Sequence, residues 1–166
     1  NYGYWPSFDV QRPFELEPAM SVKAKIVAIR EIQRGDTVGY GRKFMAKQDE
    51  RIAILPIGYA DGYDRALSKI GQVLLHGKRA SIIGGLCMDA TFIKITDFPE
   101  AKIGDPVTLM GFDGEQNISP HDIAALVGSV SYDVIAQFGR RLPRVYMRNG
   151  AVVRIDNSLT AQIASA

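Results

Sequence analysis

Apolar and polar residues alternate along the chain from Met20 onward, and this pattern predicts strands. Apolar residues at positions 22, 24, 26 and 28 predict one long half-buried strand, and the nearly all-apolar residues 51–57 are typical of a central strand. Short runs separated by Gly, Pro or Asp predict further strands at residues 37–40, 71–76, 79–83, 90–95 and 106–110. This spacing favours a mainly β fold, a closed or sandwich-like β-barrel.

Helix signals appear only late in the chain. Ser119 is a good N-cap, Pro120 suits the first helical position and Asp122 suits the first turn. A second helix is predicted at residues 130–138, ended by Gly139. We therefore expect one or two short helices near the carboxyl end.

Asn149 and Gly150 form a strong hairpin signal. They lie between two apolar runs, residues 144–147 and 152–155. These two strands are predicted to close the sheet.

The composition is that of an ordinary globular domain. A length of 166 residues suits one domain that buries about two thirds of the surface its unfolded chain exposes. The formal charge of +2 is spread along the chain, which argues against a nucleic-acid or anionic-membrane partner. The single cysteine, Cys87, excludes an intramolecular disulfide and favours a reducing compartment, so a cytoplasmic location is expected.

Three short stretches place aromatic or polar side chains beside glycine at predicted strand ends. Tyr40 lies between two glycines, an aromatic and acidic turn occupies residues 57–63, and Met88 and Asp89 follow a glycine pair. Rigid scaffolds often display functional side chains at such places. The structural alternative is that Asp61 and Asp89 cap turns, the tyrosines plug the barrel and Met88 fills the core.

Motifs for metal binding or nucleophilic catalysis are absent from the sequence. His76 and His121 are far apart, and neither lies near Cys87 at a zinc-type spacing. No serine lies in a Gly-x-Ser-x-Gly elbow, and no glycine-rich piece matches a phosphate-binding fingerprint. On the residues alone, the structural alternative is favoured.

Together and in this order, the three stretches resemble the alanine racemase family. The resemblance runs from residues 2–7 (Tyr-Gly-Tyr-Trp-Pro-Ser) to residues 141–146 (Arg-Leu-Pro-Arg-Val-Tyr) and includes residues 18–24. Members of the family join an amino-terminal (β/α)8 barrel, which holds pyridoxal 5'-phosphate on a lysine, to a mostly β domain, and they work as head-to-tail homodimers. The family supplies D-alanine for cell-wall peptidoglycan.

The resemblance implies three segments. Residues 1–18 are a linker from a missing (β/α)8 barrel, residues 19–156 are the carboxy-terminal β domain, and residues 157–166 are a tail. Aromatic residues of the linker suit burial against another surface: Tyr4, Trp5, Phe8 and Phe14.

By the same resemblance, Tyr40 takes the place of the catalytic tyrosine that reaches into the partner subunit's barrel. Tyr59 matches a tyrosine at the active-site entrance and is a candidate contact for both substrate and cofactor. Met88 and Asp89 match the pair that lines the substrate carboxylate and cofactor phosphate side. Racemisation needs one base on each face of a planar carbanion, and the family uses the cofactor lysine and this tyrosine. A free phenol titrates near 10, so its environment must stabilise the phenolate or protonated neighbours must share its charge, and those neighbours would have to come from the barrel. On an extended strand Arg42 would point to the same face as Tyr40, two residues away, and could be a nearby cation; alternatively, it is a solvated charge.

Two features depart from the family pattern. Arg140 stands where many members have a tyrosine beside the cofactor phosphate, a place where racemases for serine or bulkier amino acids also differ. A guanidinium there could still pair with phosphate. No lysine lies in a segment like the family's cofactor-binding strand end, so we expect the chain alone neither to bind the cofactor tightly nor to racemise alanine.

Three classes of function follow from this sequence. The first is a domain of an alanine racemase or of a related serine or broad-specificity racemase, acting on a small amino acid. The second is a β-barrel binding module, because Gly-Asp turns at residues 35–36 and 104–105 resemble those of barrels in translation factors, although no basic stripe with stacking aromatic residues accompanies them. The third is a purely structural dimerisation domain.

Overall fold

A computed structural model describes residues 2–5, 10–11 and 13–157 of the chain. The predicted tail, residues 157–166, lies outside this part except for Asn157. In the predicted linker, residues 6–9, which include Phe8, also lie outside it. Of the other linker aromatics, Tyr4 is buried, with its ring centroid 5.9 Å from that of His121.

The described residues form a mainly β fold with two short helices, as predicted. The helices are α1 (Pro120–Val127) and α2 (Ser131–Gln137). The strands are β1 (Val22–Lys25), β2 (Ala28–Ile32), β3 (Thr37–Val38), β4 (Phe44–Met45), β5 (Glu50–Leu55), β6 (Gln72–Leu75), β7 (Lys78–Ile83), β8 (Thr91–Lys94), β9 (Pro106–Asp113), β10 (Gln116–Ile118), β11 (Arg144–Arg148) and β12 (Ala151–Asp156).

Eight strands form the main sheet of the described residues, in the order β1-β9-β6-β7-β8-β5-β2, with β10 added to β9. Strand β5 lies between β2 and β8, which confirms its prediction as a central strand. Strands β5 and β7 both pair antiparallel with β8, so β5 and β7 run in the same direction. Their carboxyl ends therefore lie at one edge of the sheet.

The predicted closed barrel is wrong, because no backbone ladder joins β1 to β2 in the described part of the chain. The long strand predicted from residue 22 divides at Ile26 and Val27. The Ile26 amide donates to the carbonyl of Asp105, whereas the Val27 amide donates to that of Ile54. Residues 22–32 therefore form two separate strands, β1 and β2. These are the first and last strands in the sheet order, and they do not pair with each other.

The hairpin of β11 and β12 forms where Asn149 and Gly150 predict it, but it does not close the sheet. Within the described residues its two strands pair only with each other. None of their residues is buried. In the described part of the chain the hairpin therefore adds no strand to the main sheet and no residue to the buried core.

The core lies on both faces of the central strands. Val73, Leu74 and Leu75 of β6 are successive residues and all are fully buried, which requires cover on both sides of the strand. Ile123 of α1 and Val134 of α2 belong to the same buried cluster. The helices therefore cover part of the sheet, and each fully buried aliphatic side chain contributes about 1.5–3 kcal/mol.

Helix α1 begins with the predicted cap. The Ser119 hydroxyl accepts a hydrogen bond from the Asp122 amide at 3.1 Å, and the Asp122 carboxylate accepts one from the Ser119 amide at 2.8 Å. Gly128, in the left-handed conformation, ends the helix. With eight and seven residues, α1 and α2 are too short to cross a membrane, and no other helix of the described part is long and apolar enough to do so.

His76 links the turn between β6 and β7 to the loop before β9. Its Nε2 lies 2.9 Å from a carboxylate oxygen of Asp105, and that same oxygen accepts a hydrogen bond from the Lys102 amide at 3.0 Å. The Lys102 amide first, and His76 in addition, lower the pKa of Asp105 against the effect of its burial. The ionised carboxylate therefore stabilises this loop.

We expect Asp105→Asn to reduce the free energy of unfolding at pH 7 and to flatten its acid dependence. Because the folded-state pKa is lowered, the carboxylate contributes fully above its unfolded pKa, near 3.9, and this contribution is lost as the pH falls through the folded pKa. Urea unfolding at pH 7 and pH 2 measures both effects. The exposed control Asp97→Asn should change neither value by more than about 0.5 kcal/mol. Equal acid losses in Asp105→Asn and the unsubstituted chain would contradict this account.

Candidate functional site

The candidate site forms where three neighbouring strands meet at one edge of the sheet. Strand β5 ends at Leu55, three residues before Gly58, strand β7 ends just before Gly84, and strand β8 begins between them at Thr91. The Thr91 hydroxyl donates to the carbonyl of Ile57 at 2.7 Å, which ties the start of β8 to the exit of β5. The sheet topology therefore brings residues 58–61 next to residues 84–89, called here the 84–89 segment.

Tyr40 lies on a tight 3-10 turn, Tyr40–Arg42, between β3 and β4. Gly39 before it has a φ of 76°, and a Cβ there would lie 3.0 Å from the backbone nitrogen of Gly85. Glycine alone suits both this conformation and this close approach. The Tyr40 side chain is 73% exposed. The turn thus presents a phenol to solvent from a backbone that packs on the 84–89 segment.

The strand predicted over residues 37–40 is confirmed only for Thr37–Val38. Tyr40 and Arg42 lie on the turn, and Arg42 has a φ of 51°. The strand geometry expected to place both side chains on one face does not exist here. The expectation of Arg42 as a neighbouring cation therefore loses its basis.

A second 3-10 turn, Tyr59–Asp61, is bonded directly to the 84–89 segment. The Tyr59 amide donates to the carbonyl of Cys87, and the Ala60 amide donates to that of Met88, both at 3.1 Å. A Cβ on Gly58 would lie 2.2 Å from the first of these oxygens and 2.4 Å from the second. The two backbones can approach this closely only because Gly58 has no side chain.

Arg141 joins two carboxylates of the site. Asp61 is 5% exposed; one of its carboxylate oxygens accepts from the Gly58 amide at 2.9 Å, and the other lies 3.4 Å from Nε of Arg141. Nη2 of Arg141 donates to the carboxylate of Asp89. The hydrogen bond to Asp89, and then the charge of Asp61, raise the pKa of Arg141. One guanidinium therefore connects the Tyr59–Asp61 turn, the 84–89 segment and the chain that follows α2.

The structural alternative holds for some residues and fails for others. Asp61 caps its turn through the Gly58 amide, as that alternative predicts. The tyrosine that fills the core is Tyr63, at 1% exposure, where burial raises its hydroxyl pKa. Tyr59 and Met88 are 42% and 51% exposed, so they are not core residues.

Tyr40, Tyr59, Met88 and Asp89, which the sequence predicts as site residues, thus lie on backbone segments that contact one another. The Tyr40 turn and the Tyr59–Asp61 turn both contact the 84–89 segment, which carries Met88 and Asp89. Arg140 is exposed and directly precedes Arg141. Sequence reasoning missed the role of Arg141, because Asp89 lies 52 residues away and no spacing marks the pair.

None of the eight lysines suits covalent attachment of pyridoxal phosphate. A lysine that forms a Schiff base must be held neutral, commonly by desolvation. Seven of the lysines are exposed, and the half-buried eighth, Lys94, has its ammonium 3.2 Å from the Glu50 carboxylate. The residues of this chain do not fit the cofactor by themselves. The described residues also contain no group of three His, Cys, Asp or Glu side chains able to hold a metal ion.

The sequence of the chain matches a known protein family. Residues 19–146 match the model of the alanine racemase C-terminal domain. The chain belongs to this family. Alanine racemase 1 of Clostridium acetobutylicum is 43% identical over 157 residues, which is 94% of this chain and 41% of that protein. The chain therefore spans about two fifths of the length of the curated relatives it matches.

Solved structures of alanine racemases have the same fold. The Bacillus anthracis enzyme with bound L-Ala-P matches with a TM-score of 0.90 and 38% identity over 96% of this chain and 41% of that one. The Bartonella henselae enzyme with covalently bound pyridoxal phosphate matches with a TM-score of 0.76 and 29% identity over 82% of this chain and 37% of that one. The racemase fold assignment thus rests on both sequence and structure.

We expect Gly58→Ala to destabilise this alanine racemase domain by about 1–3 kcal/mol, the usual cost of overpacking. The added Cβ overlaps two carbonyl oxygens, so residues 58–61 and the 84–89 segment must separate. Gly139→Ala is a matched control, because a Cβ there meets no atom within 4 Å and the Gly139 backbone does not have a positive φ. Urea unfolding compares the two, and equal effects would show that the close approach is not required.

Proposed function

We propose that this chain is the carboxy-terminal domain of a pyridoxal phosphate-dependent alanine racemase that interconverts L- and D-alanine for cell-wall peptidoglycan. The observation that carries the proposal is the Tyr40 turn. It holds an exposed phenol on a backbone packed against the 84–89 segment, and by resemblance this is the catalytic tyrosine. The relatives described with L-Ala-P and with pyridoxal phosphate support this ligand chemistry.

Tyr40 transfers a proton at one face of the substrate α-carbon. As a phenolate its oxygen accepts the α-proton of one enantiomer, and in the reverse direction the phenol returns a proton to that face. Bound mainly by the barrel, the cofactor would supply an electron sink for the pair left on the α-carbon, and of this chain's residues Arg140 would lie toward its phosphate. Since no lysine of this chain suits the cofactor, the base for the other face belongs to the barrel.

The exposure of Tyr40 suits a side chain that enters the barrel of a partner subunit in a head-to-tail homodimer. In this arrangement residues 1–18 are the linker from this chain's own barrel, and residues 157–166 are a tail.

Tyr59, Met88 and Asp89 then line the entrance and the carboxylate side of the substrate, and Arg140 lies toward the cofactor phosphate. Isolated from a barrel, the domain is inactive. We place the enzyme in the cytoplasm.

Arg140 supports a second candidate, a racemase for serine or with broad specificity. It occupies the place where many family members carry a tyrosine, and it is exposed beside Arg141. A longer, charged side chain changes the space and the hydrogen-bonding groups offered to the substrate side chain.

We expect Tyr40→Phe to lower kcat for racemisation by about 10²–10⁴-fold, because it removes the acid-base group on one face. The test uses a chimera in which this chain replaces the matching part of the Clostridium acetobutylicum alanine racemase 1. Conversion of L-alanine to D-alanine is followed by polarimetry. Tyr132→Phe, which removes the hydroxyl of another exposed tyrosine, on α2, is the control and should keep full activity. Equal activity of both variants would favour a purely structural or dimerisation role.

Arg140→Tyr should raise the preference of the same chimera for alanine over serine by about tenfold, measured as the ratio of the two kcat/KM values. The reason is that a tyrosine restores the side chain common in the family. Arg144→Tyr, an equivalent change at an exposed arginine on β11, is the control. An unchanged ratio would remove Arg140 from the specificity of the site.

A further inference from the structure

We infer that Arg141 is a positioning residue which neutralises Asp89 and locks the 84–89 segment to the Tyr59–Asp61 turn, so that a substrate carboxylate can bind beside Asp89. This inference rests on the proposed function, because it concerns the residues placed there on the carboxylate side of the substrate.

The anchor of the arrangement is Asp61. Its carboxyl group is buried, and a nearby cation and hydrogen-bond donors stabilise such a group in its ionised form. The Gly58 amide supplies one donor at 2.9 Å, and Nε of Arg141 lies 3.4 Å from the other oxygen. Asp61 also accepts, through its backbone carbonyl, the amide of Gly139 at 3.2 Å. The chain on both sides of Arg140 is thus tied to the turn.

Arg141 then extends from this anchor to Asp89. An isolated ion pair at the surface contributes little, because two flexible side chains must be ordered. Here the guanidinium is already oriented by the buried Asp61, so its Nη2 meets the Asp89 carboxylate at a smaller entropic cost. A lysine carries the same charge, but its single ammonium lacks the planar fork that contacts both carboxylates.

The electrostatic consequence concerns the substrate. The Asp89 side chain is 57% exposed, and an unpaired carboxylate there repels the carboxylate of an amino acid. Pairing with Arg141 removes this repulsion. The two backbone hydrogen bonds from Tyr59 and Ala60 hold the other side of the same segment, so Asp89 and Met88 are fixed from two directions.

The test measures kinetics and amide hydrogen exchange in the same chimera. We expect Arg141→Ala to raise KM for L-alanine about tenfold while kcat changes less than about threefold, because the lost interaction acts on binding. Arg141→Lys should fall between. Adding Asp89→Asn to Arg141→Ala should return KM most of the way, since the repelling charge is gone. The control Arg79→Ala removes an exposed arginine on β7, bonded to Gln72 and Asn117, and should leave KM unchanged.

Exchange supplies a readout that does not depend on catalysis. In Arg141→Ala the amides of Tyr59 and Ala60 should exchange at least about tenfold faster, with no change in core strand β6. If Arg141→Ala does not fold, Arg141→Lys and Asp89→Asn carry the same comparison. A fall in kcat at constant KM, no rescue by Asp89→Asn, or faster exchange throughout the chain would overturn the inference. An inactive unsubstituted chimera, or an active Tyr40→Phe variant, counts against the proposed function, while the exchange result still decides the role of Arg141.

Discussion

The close approach of two backbones at Gly58 is the constraint on which the candidate site depends. Tyr59 and Ala60 donate hydrogen bonds to the carbonyls of Cys87 and Met88, and a Cβ on Gly58 would overlap both oxygens. A second close contact, between Gly39 and Gly85, places the Tyr40 turn on the same segment. Three separate parts of the chain are therefore held together by backbone contacts, and their side chains remain available at the surface.

The main sheet makes these contacts possible. Strands β5 and β7 run in the same direction on either side of β8, so their carboxyl ends lead into the site at one edge. The central strands are buried on both faces, so this scaffold is closely packed. An ion pair adds a further link to the site, because Nε of Arg141 lies 3.4 Å from the buried carboxylate of Asp61 and stabilises its charge.

Most individual elements could be predicted from the sequence, because their signals are local. Alternating apolar residues mark the strands, Ser119 and Pro120 mark the start of α1, and Asn149-Gly150 marks the hairpin. The wrong predictions concern features that depend on contacts between distant parts of the chain. The predicted strand divides at Ile26 and Val27 because their amides donate to the carbonyls of Asp105 and Ile54, respectively. No local pattern reveals which carbonyls these two amides will meet.

The sequence by itself determined the family and the identity of Tyr40, Tyr59, Met88 and Asp89 as candidate residues, because their motifs are short and contiguous. Only the tertiary structure decided that the sheet remains open, that Tyr40 lies on a 3-10 turn instead of a strand, and that Arg141 bridges Asp61 and Asp89. The physical reason is the distance along the sequence over which each kind of interaction acts. Periodicity and capping act within a few residues, whereas sheet closure and ion pairing depend on groups that only folding brings into contact.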